Sequence, residues 1–188
     1  ESFARIVRAV RPDLICLQEI DPENAGELAP LMDRLLPLQN GLHWQSHFAT
    51  NLDSVIASRY PLLWRTQEVA IPKPTDRPNF FDRGHVMCVV DLPDARIATD
   101  LLVLNTHFQA GGGEANIRAR QIHADAIIRQ IRTHVRGNEA ASLRPGTPFL
   151  LIGDFNVYQS DPEDPTLHLT TLLTGNIVDE ATFGPDIK

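Results

Sequence analysis

Alternating helical and strand-like segments around a long central block of short strands predict a mixed α and β domain. Three observations carry that expectation. Apolar residues near the N-terminus recur at helical spacing. Short β-rich runs follow one another from residue 42 to residue 105. A long helical stretch, 114 to about 135, then precedes one more apolar run, 149–152. On their own these patterns fit an ordinary three-layer α/β fold as well as a sandwich of two sheets.

In chain order, Phe3, Ile6, Val7 and Val10 fall at i, i+3, i+4 and i+7 and predict an amphipathic helix. Pro12-Asp13 ends it, and a strand over 13–19 follows. Asp21 is expected to cap a second helix with Pro22 at its first position. The buried face of that helix would carry Leu28, Leu31, Met32 and Leu35, and Pro37 stops it. Short strands are expected over 42–49, 54–58, 66–71, 85–92 and 99–105. The stretch 71–83 holds Pro72, Pro74, Pro78 and Asp82 and reads as a loop. Gly111-Gly112-Gly113 turns the chain into the long helix. It lacks the Gly-Lys-Ser/Thr ending of a nucleotide loop and reads as a flexible connection. In that helix Ile117, Ala124, Ile128, Ile131 and Val135 form an apolar stripe. Arg118, Arg129, Arg132 and Arg136 lie beside it and read as a solvated face rather than a nucleic-acid surface. Residues 137–148 read as a surface loop.

Three apolar runs end in residues that can carry chemistry. Leu14-Ile15-Cys16-Leu17-Gln18-Glu19 ends in a carboxylate. Leu101 to His107 ends in Asn105-Thr106-His107. The run at 149–152 leads through Gly153 to Asp154 and Asn156. In an extended segment that spacing points Asp154 and Asn156 to one side. Such oxygens suit a hard cation, an attacking water, or both. Each run has an ordinary alternative: Glu19 as a helix-flanking acid, His107 as a core histidine, Asp154 as a turn former. Their joint occurrence favours one site, because strand ends in a layered fold converge on an edge. His43, His47, His85 and His123 show no ligand spacing and read as ordinary histidines.

Composition sets outer bounds. A chain of 188 residues fits one domain with a sizeable core, and 43% hydrophobic with 22% charged residues is globular. The net charge of −7 argues against coating nucleic acid by bulk charge, but leaves a local cation-assisted phosphate site open. Cys16 and Cys88 sit in apolar runs and are expected to be buried thiols. No run is long enough to span a membrane, and no signal peptide is visible, although a chain starting inside a helix would have lost one; compartment and oligomeric state stay open.

The strings Leu17-Gln18-Glu19, Asn105-Thr106-His107 and Gly153-Asp154-Phe155-Asn156 resemble, in order, those of the endonuclease/exonuclease/phosphatase superfamily. Ser54 to Pro61 resembles that family's strand leading into Ser-Arg-x-Pro. Arg83 sits where many members keep a phosphate-contacting arginine. The resemblance implies an α+β fold: a four-layer α/β/β/α sandwich of two mixed sheets, with helices on the outer faces and the site at one edge. It also implies departures. The family opens with a strand ending in Asn, whereas this chain starts inside the first helix. The family closes with an Asp-His pair, which nothing after Asn156 matches. His168 comes too early and has no Asp before it. Residues 1–188 are thus expected to be a single domain lacking the first strand and the C-terminal strands.

What the resemblance implies for chemistry is metal-dependent hydrolysis of a phosphate ester. Glu19 would ligate Mg²⁺, with Mn²⁺ as an alternative. Asp154 would orient and deprotonate water. Asn156 would hydrogen-bond a phosphate oxygen or a metal-bound water, His107 would donate to a phosphoryl oxygen, and Arg83 would contact the phosphate. Gln18 is expected to be a packing residue, and Arg118 to help hold the loop after the His107 strand. The substrate could be nucleic acid, phospholipid or a small phosphate ester. A nuclease would show basic, aromatic-bearing loops, for which Trp44, Trp64, Phe80, Phe81 and Arg83 are available. Two other readings stay open: a non-catalytic binding domain that keeps the fold, and an unrelated metalloprotein.

Overall fold

The computed structural model describes residues 1–21, 23–49, 52–68, 83–135, 143, 146–157 and 167–186. Two sheets stack face to face. The smaller holds β1 (Leu14–Leu17), β3 (Val55–Ser58) and β2 (Gln45–Phe48) in that order, antiparallel throughout. The larger holds β4 (Leu62–Glu68), β5 (Gly84–Val90), β6 (Leu101–His107) and β7 (Phe149–Asp154). It is mixed: among the described strands β6 and β7 run parallel and the other neighbours antiparallel.

Apolar residues fill the three gaps between four layers. Helices α1 (Ser2–Val10) and α2 (Leu28–Leu35) cover the outer face of the small sheet, through Val7, Leu28 and Met32 against Val55 and Ala57. Between the sheets lie Ile56, Val86, Cys88 and Val103, with Cys16 packed against them. The long helix α3 (Glu114–Val135) covers the large sheet, setting Ala124 and Ile127 against Met87, Val89, Leu102 and Leu104. The α/β/β/α sandwich is therefore the fold. Burial raises both thiols to about 12, so Cys16 and Cys88 behave as small apolar side chains. Among the described residues no helix is long and apolar enough to cross a membrane.

Several boundaries differ from the sequence expectation. In α1 only Phe3 and Val7 pack inward, while Ile6 and Val10 are exposed, because the sheet covers a narrow arc of a short helix. Asp21 does not start α2. Its carboxylate accepts from Glu23 N–H in a local turn, and a short 3-10 turn (Ala25–Glu27) comes before the helix. In α2 Leu28 and Met32 are buried, Leu31 and Leu35 half-buried. The strand expected at 66–71 is β4, which starts four residues earlier; residues 69–71 lie outside the described residues. The strand expected at 99–105 is shifted to 101–107, because β6 pairs on both sides as far as His107. Most of the loop expected at 71–83, with Phe80 and Phe81, and most of 137–148 lie outside the described residues.

Helix α3 is not a one-sided amphipath. A second tier, α4 (Leu167–Thr174) and α5 (Glu180–Phe183), packs on its outer side through Leu172, Phe183 and the intervening Ile177. This buries polar α3 residues, Asp125 and Gln121 among them. The Asp125 carboxylate accepts from Gln121, Val178 N–H and Asp179 N–H. Of the arginines read as a solvated face, Arg118 and Arg129 are exposed and Arg136 lies outside the described residues. Arg132 instead bonds the Gly175 carbonyl and the Asp186 carboxylate at the C-terminal end.

Candidate active site

Strand register brings the three sequence strings to one edge. Leu17 pairs with Val55, so the end of β1 lies beside the start of β3. His107 pairs with Gly84 on one side and Asp154 on the other, so the end of β6 meets the start of β5 and the end of β7. Asn105, fully buried, ties the two sheets together there. Its amide nitrogen donates to the Leu17 and Val55 carbonyls at 2.9 and 3.0 Å, and its oxygen accepts from Gln18 at 2.5 Å. Gln18 thus supports Asn105 behind the edge. A buried amide with three such bonds fixes the spacing of the sheets at the site.

Glu19 follows Gln18 and is exposed, with its backbone in the left-handed region at φ 60°. That conformation costs a residue with a Cβ about 1–2 kcal/mol. The next residue is held, since Ile20 N–H donates to the Asp53 carbonyl at 3.0 Å. Glu19 therefore stands on the same edge as Asp53, a carboxylate the sequence reading passed over.

Asp53 organises the centre of the site. Its Oδ2 lies 2.7 Å from His107 Nδ1 and 2.5 Å from an Arg83 guanidinium nitrogen. Arg83 also lies 2.6 Å from His107 Nδ1. Arginine has no acceptor, so Arg83 and an Nδ1–H cannot bond each other. We read Asp53 as the shared acceptor that draws both donors together. This fixes the ring, whose Nε2 then faces Asp154 Oδ2 at 4.0 Å. Arg83 is mostly buried, its side chain 18% exposed, and it braces Asp53. Asp53 stands just before the buried strand Val55–Ser58, beside the end of β1, and only the pairing of those strands shows its role.

Asp154 is the exposed member, its side chain 54% accessible. Its main chain is anchored by Phe108 N–H on Asp154 O at 2.8 Å. Asp154 and Asn156 are not brought together by strand alternation. The chain leaves the extended form, and Asn156 sits at φ 48°, a conformation asparagine tolerates. Asn156 N–H donates to Asp154 Oδ1 at 2.9 Å, and its side-chain amide donates to the Phe108 carbonyl at 2.8 Å. Asn156 thus orients Asp154 and ties the β7 end to the β6 end.

Gly153 makes this possible. A Cβ there would lie 1.9 Å from the Thr106 carbonyl oxygen, a backbone atom that cannot swing aside. Gly153→Ala is expected to destabilise the domain by about 1–3 kcal/mol and to displace Asp154. Thermal melting and turnover together check this, and an unchanged melting point would contradict the close approach.

Behind this layer lies a buried histidine network. His123 Nε2 lies 3.2 Å from both His85 Nδ1 and Thr106 Oγ1, and His85 Nε2 meets the Gln130 oxygen. Thr106 donates to the Gly84 carbonyl. The consistent assignment has both rings neutral: His85 Nε2–H donates to Gln130, and His123 Nε2–H is shared by His85 and Thr106. Burial lowers the His85 pKa to about 4, against a smaller opposing effect of its bond to Gln130. Burial, then the neighbouring His85, His107 and His168, push His123 well below its ordinary value. Phe108 stacks on His123 at 4.3 Å. His168 lies in this buried region, against the Phe155 carbonyl and near the Phe108 ring, not on the open edge. His43 and His47 lie elsewhere, on Asp33 and the Thr66 carbonyl. Arg120, not Arg118, holds the loop after β6: it is fully buried and donates to the Gln109 and Gly111 carbonyls.

The donor set fits a hydrated hard cation. Among the described residues no three His, Cys, Asp or Glu side chains gather as a ligand cluster. Mg²⁺ keeps several waters and needs only one or two carboxylates. Glu19 and Asp154 are exposed carboxylates on one edge, and no ion pair with Lys or Arg engages either among the described residues.

Comparisons with known proteins agree with the geometry. Residues 1–186 match the model of the endonuclease/exonuclease/phosphatase family. No curated protein matches the chain. Among solved structures, an endonuclease/exonuclease/phosphatase from Beutenbergia cavernae DSM 12333 is similar at TM-score 0.65 and 18% identity, covering 92% of this chain and 47% of that one. ANGEL2, a 2',3'-cyclic phosphatase, is similar at TM-score 0.60 and 16% identity, covering 93% and 46%. A β-hairpin deletion mutant of beta toxin from Staphylococcus aureus is similar at 0.58 and 14%, covering 92% and 64%. The chain spans about half the length of the first two and under two thirds of the third. With a match over nearly its whole length and the matching sandwich beneath it, the chain belongs to the endonuclease/exonuclease/phosphatase family.

Proposed function

We propose that the edge formed by Glu19, Asp53, His107, Asp154 and Asn156 hydrolyses phosphate esters with a divalent cation. The observation that carries the reading is the fixed ring of His107: Nδ1 is held by Asp53 and Nε2 faces Asp154 across 4.0 Å. In the doubly protonated ring Nδ1–H stays on Asp53, and Nε2–H is free to donate to a phosphoryl oxygen. Asp154, oriented by Asn156 N–H, takes a proton from water as that water attacks phosphorus. Glu19 would hold the cation, Mg²⁺ or Mn²⁺. The chemistry a bound cation supplies is neutralisation of charge on the phosphoryl oxygens. Asn156 and Arg83 act first by orienting Asp154 and Asp53, and a phosphate contact by either is a second role. A 2',3'-cyclic phosphatase among the structural neighbours supports a phosphate-ester substrate, whether nucleic acid, lipid or small molecule.

Glu19→Gln tests the cation role. Activity of the full-length protein is expected to fall and to need more Mg²⁺, while stability stays within about 0.5 kcal/mol, because the side chain is exposed. A melted variant with intact specific activity would make Glu19 structural.

Further strands outside residues 1–188 are part of this proposal. Edge strands β1 and β7 carry apolar side chains that are only partly covered: Leu14 to Leu17 are half-buried, and Phe149 is 57% exposed. These are the places where further strands would pair. Residues 1–188 alone are expected to turn over phosphodiesters poorly. Robust EDTA-sensitive hydrolysis by this segment would overturn that expectation.

A further inference from the structure

A second cleft lies at the opposite end of the small sheet from the catalytic edge. Leu14 pairs with Ser58 there, three residues along β1 from Leu17, which places it about 10 Å from that edge. The cleft has a volume of about 380 Å³, within the range of small-ligand sites. Three arginines from separate places in the chain line it: Arg8 in the last turn of α1, Arg11 just past that helix, and Arg59 just past β3. Its other wall is apolar, built by Leu36 and Pro37 at the end of α2 and by the buried Trp44, whose indole N–H is taken by the Leu36 carbonyl.

Helix electrostatics explains part of this. Arg8 and Arg11 offset the negative C-terminal end of α1, but that does not account for Arg59, which comes from a strand. Arg59 bonds Asp13 at 2.8 Å, with both side chains about half exposed. Such a pair is weak and leaves the guanidinium available. No carboxylate lines the cleft, and the chain as a whole carries −7. The cleft thus gathers three guanidinium groups, one of them shared with Asp13, and guanidinium suits phosphate oxygens bidentately.

We propose that this cleft binds a small phosphate-bearing ligand of nucleotide size, its phosphates on Arg8, Arg11 and Arg59 and its less polar body against Leu36 and Pro37. The site is separate from the catalytic edge and does not depend on hydrolysis there.

The test is calorimetric titration of the full-length protein with ADP and with inorganic pyrophosphate, in EDTA. Saturable binding is expected, weakened at least about tenfold in Arg8→Gln/Arg11→Gln and in Arg59→Gln. It should be only partly kept in Arg8→Lys/Arg11→Lys, which retains the charge but loses the bidentate fork, and unchanged in Asp154→Asn. The first two arginines are exposed, so folding should survive, and Arg59→Gln carries the test if the double variant melts. No saturable binding overturns the proposal. So does binding that ignores all the arginine changes, or that disappears in Asp154→Asn. Binding of a single-stranded oligonucleotide with none of ADP or pyrophosphate also overturns it, in favour of a nucleic-acid track.

Discussion

Asp154→Asn is expected to lower the chemical step of the full-length protein by about two to four orders of magnitude, the usual scale for losing a positioned base. The substitution keeps nearly everything else. Asparagine has the same shape, and its side-chain oxygen still accepts from Asn156 N–H. The main-chain bond from Phe108 N–H does not involve the side chain. The carboxylate is more than half exposed, so its loss exposes no buried, unpaired group. A melting temperature close to that of the parent should therefore accompany the lost turnover. Rapid-quench kinetics at saturating Mg²⁺ would separate the chemical step from binding. A decrease of less than about tenfold in that step would remove Asp154 as the base. The water would then need another acceptor, a role His107 Nε2, 4.0 Å from Asp154 Oδ2, could take only in a ring protonated at Nδ1 alone.

How legible the site was depended on the range of the information. Glu19, His107 and Asp154 could be found because each ends a local apolar run, and such runs are written in consecutive residues. Asp53 could not be found in that way. Its role rests on pairings across 54 residues to His107 and 30 to Arg83, which no local pattern encodes. Arg83 was picked out by position, yet its guanidinium turns toward Asp53. The extended reading of Asp154 and Asn156 missed the turn because Gly153 and Asn156 admit backbone conformations that periodicity does not register. For the fold, the helices and strands around the sheets were visible in spacing. The second tier on α3 was not. Its burial converts Gln121 and Asp125 from apparent surface residues into anchors for α4 and the start of α5. Arg118 and Arg120 differ by two positions, a turn of about 200° around a helix. Only the contact with the Gln109–Gly111 loop shows which one is buried.

Acidification is expected to destabilise the domain steeply between pH 6.5 and pH 4, before most carboxylates titrate. The sign follows from His85. Its folded pKa is about 4, against 6.5 ordinarily. Below pH 6.5 the unfolded chain takes up a proton that the folded chain refuses, so stability falls as pH falls, and this contribution levels off below about pH 4. From the 2.5-unit shift, His85 alone removes about 2 kcal/mol by pH 5 and about 3 kcal/mol by pH 4. His123, shifted in the same direction, adds to the loss and extends it to lower pH. Burial also lowers the pKa of His47, which adds again. Against a total stability of about 5–15 kcal/mol for a domain, these terms are large. Urea unfolding at a series of pH values should show the midpoint dropping through this window. His85→Asn should make the slope shallower by up to about 1.4 kcal/mol per pH unit, the value of one proton. The network also touches the reaction. Thr106, which bonds His123, sits between Asn105 and His107 on β6, and its carbonyl is the atom that Gly153 closely approaches. A proton forced onto either ring would break the shared Nε2–H arrangement directly behind the strand that carries His107. Activity should therefore be lost irreversibly or slowly regained after exposure to pH 4, in step with unfolding. A midpoint that stays constant from pH 7 to pH 5 would show that these rings are not held neutral, and the buried network would have to be redrawn.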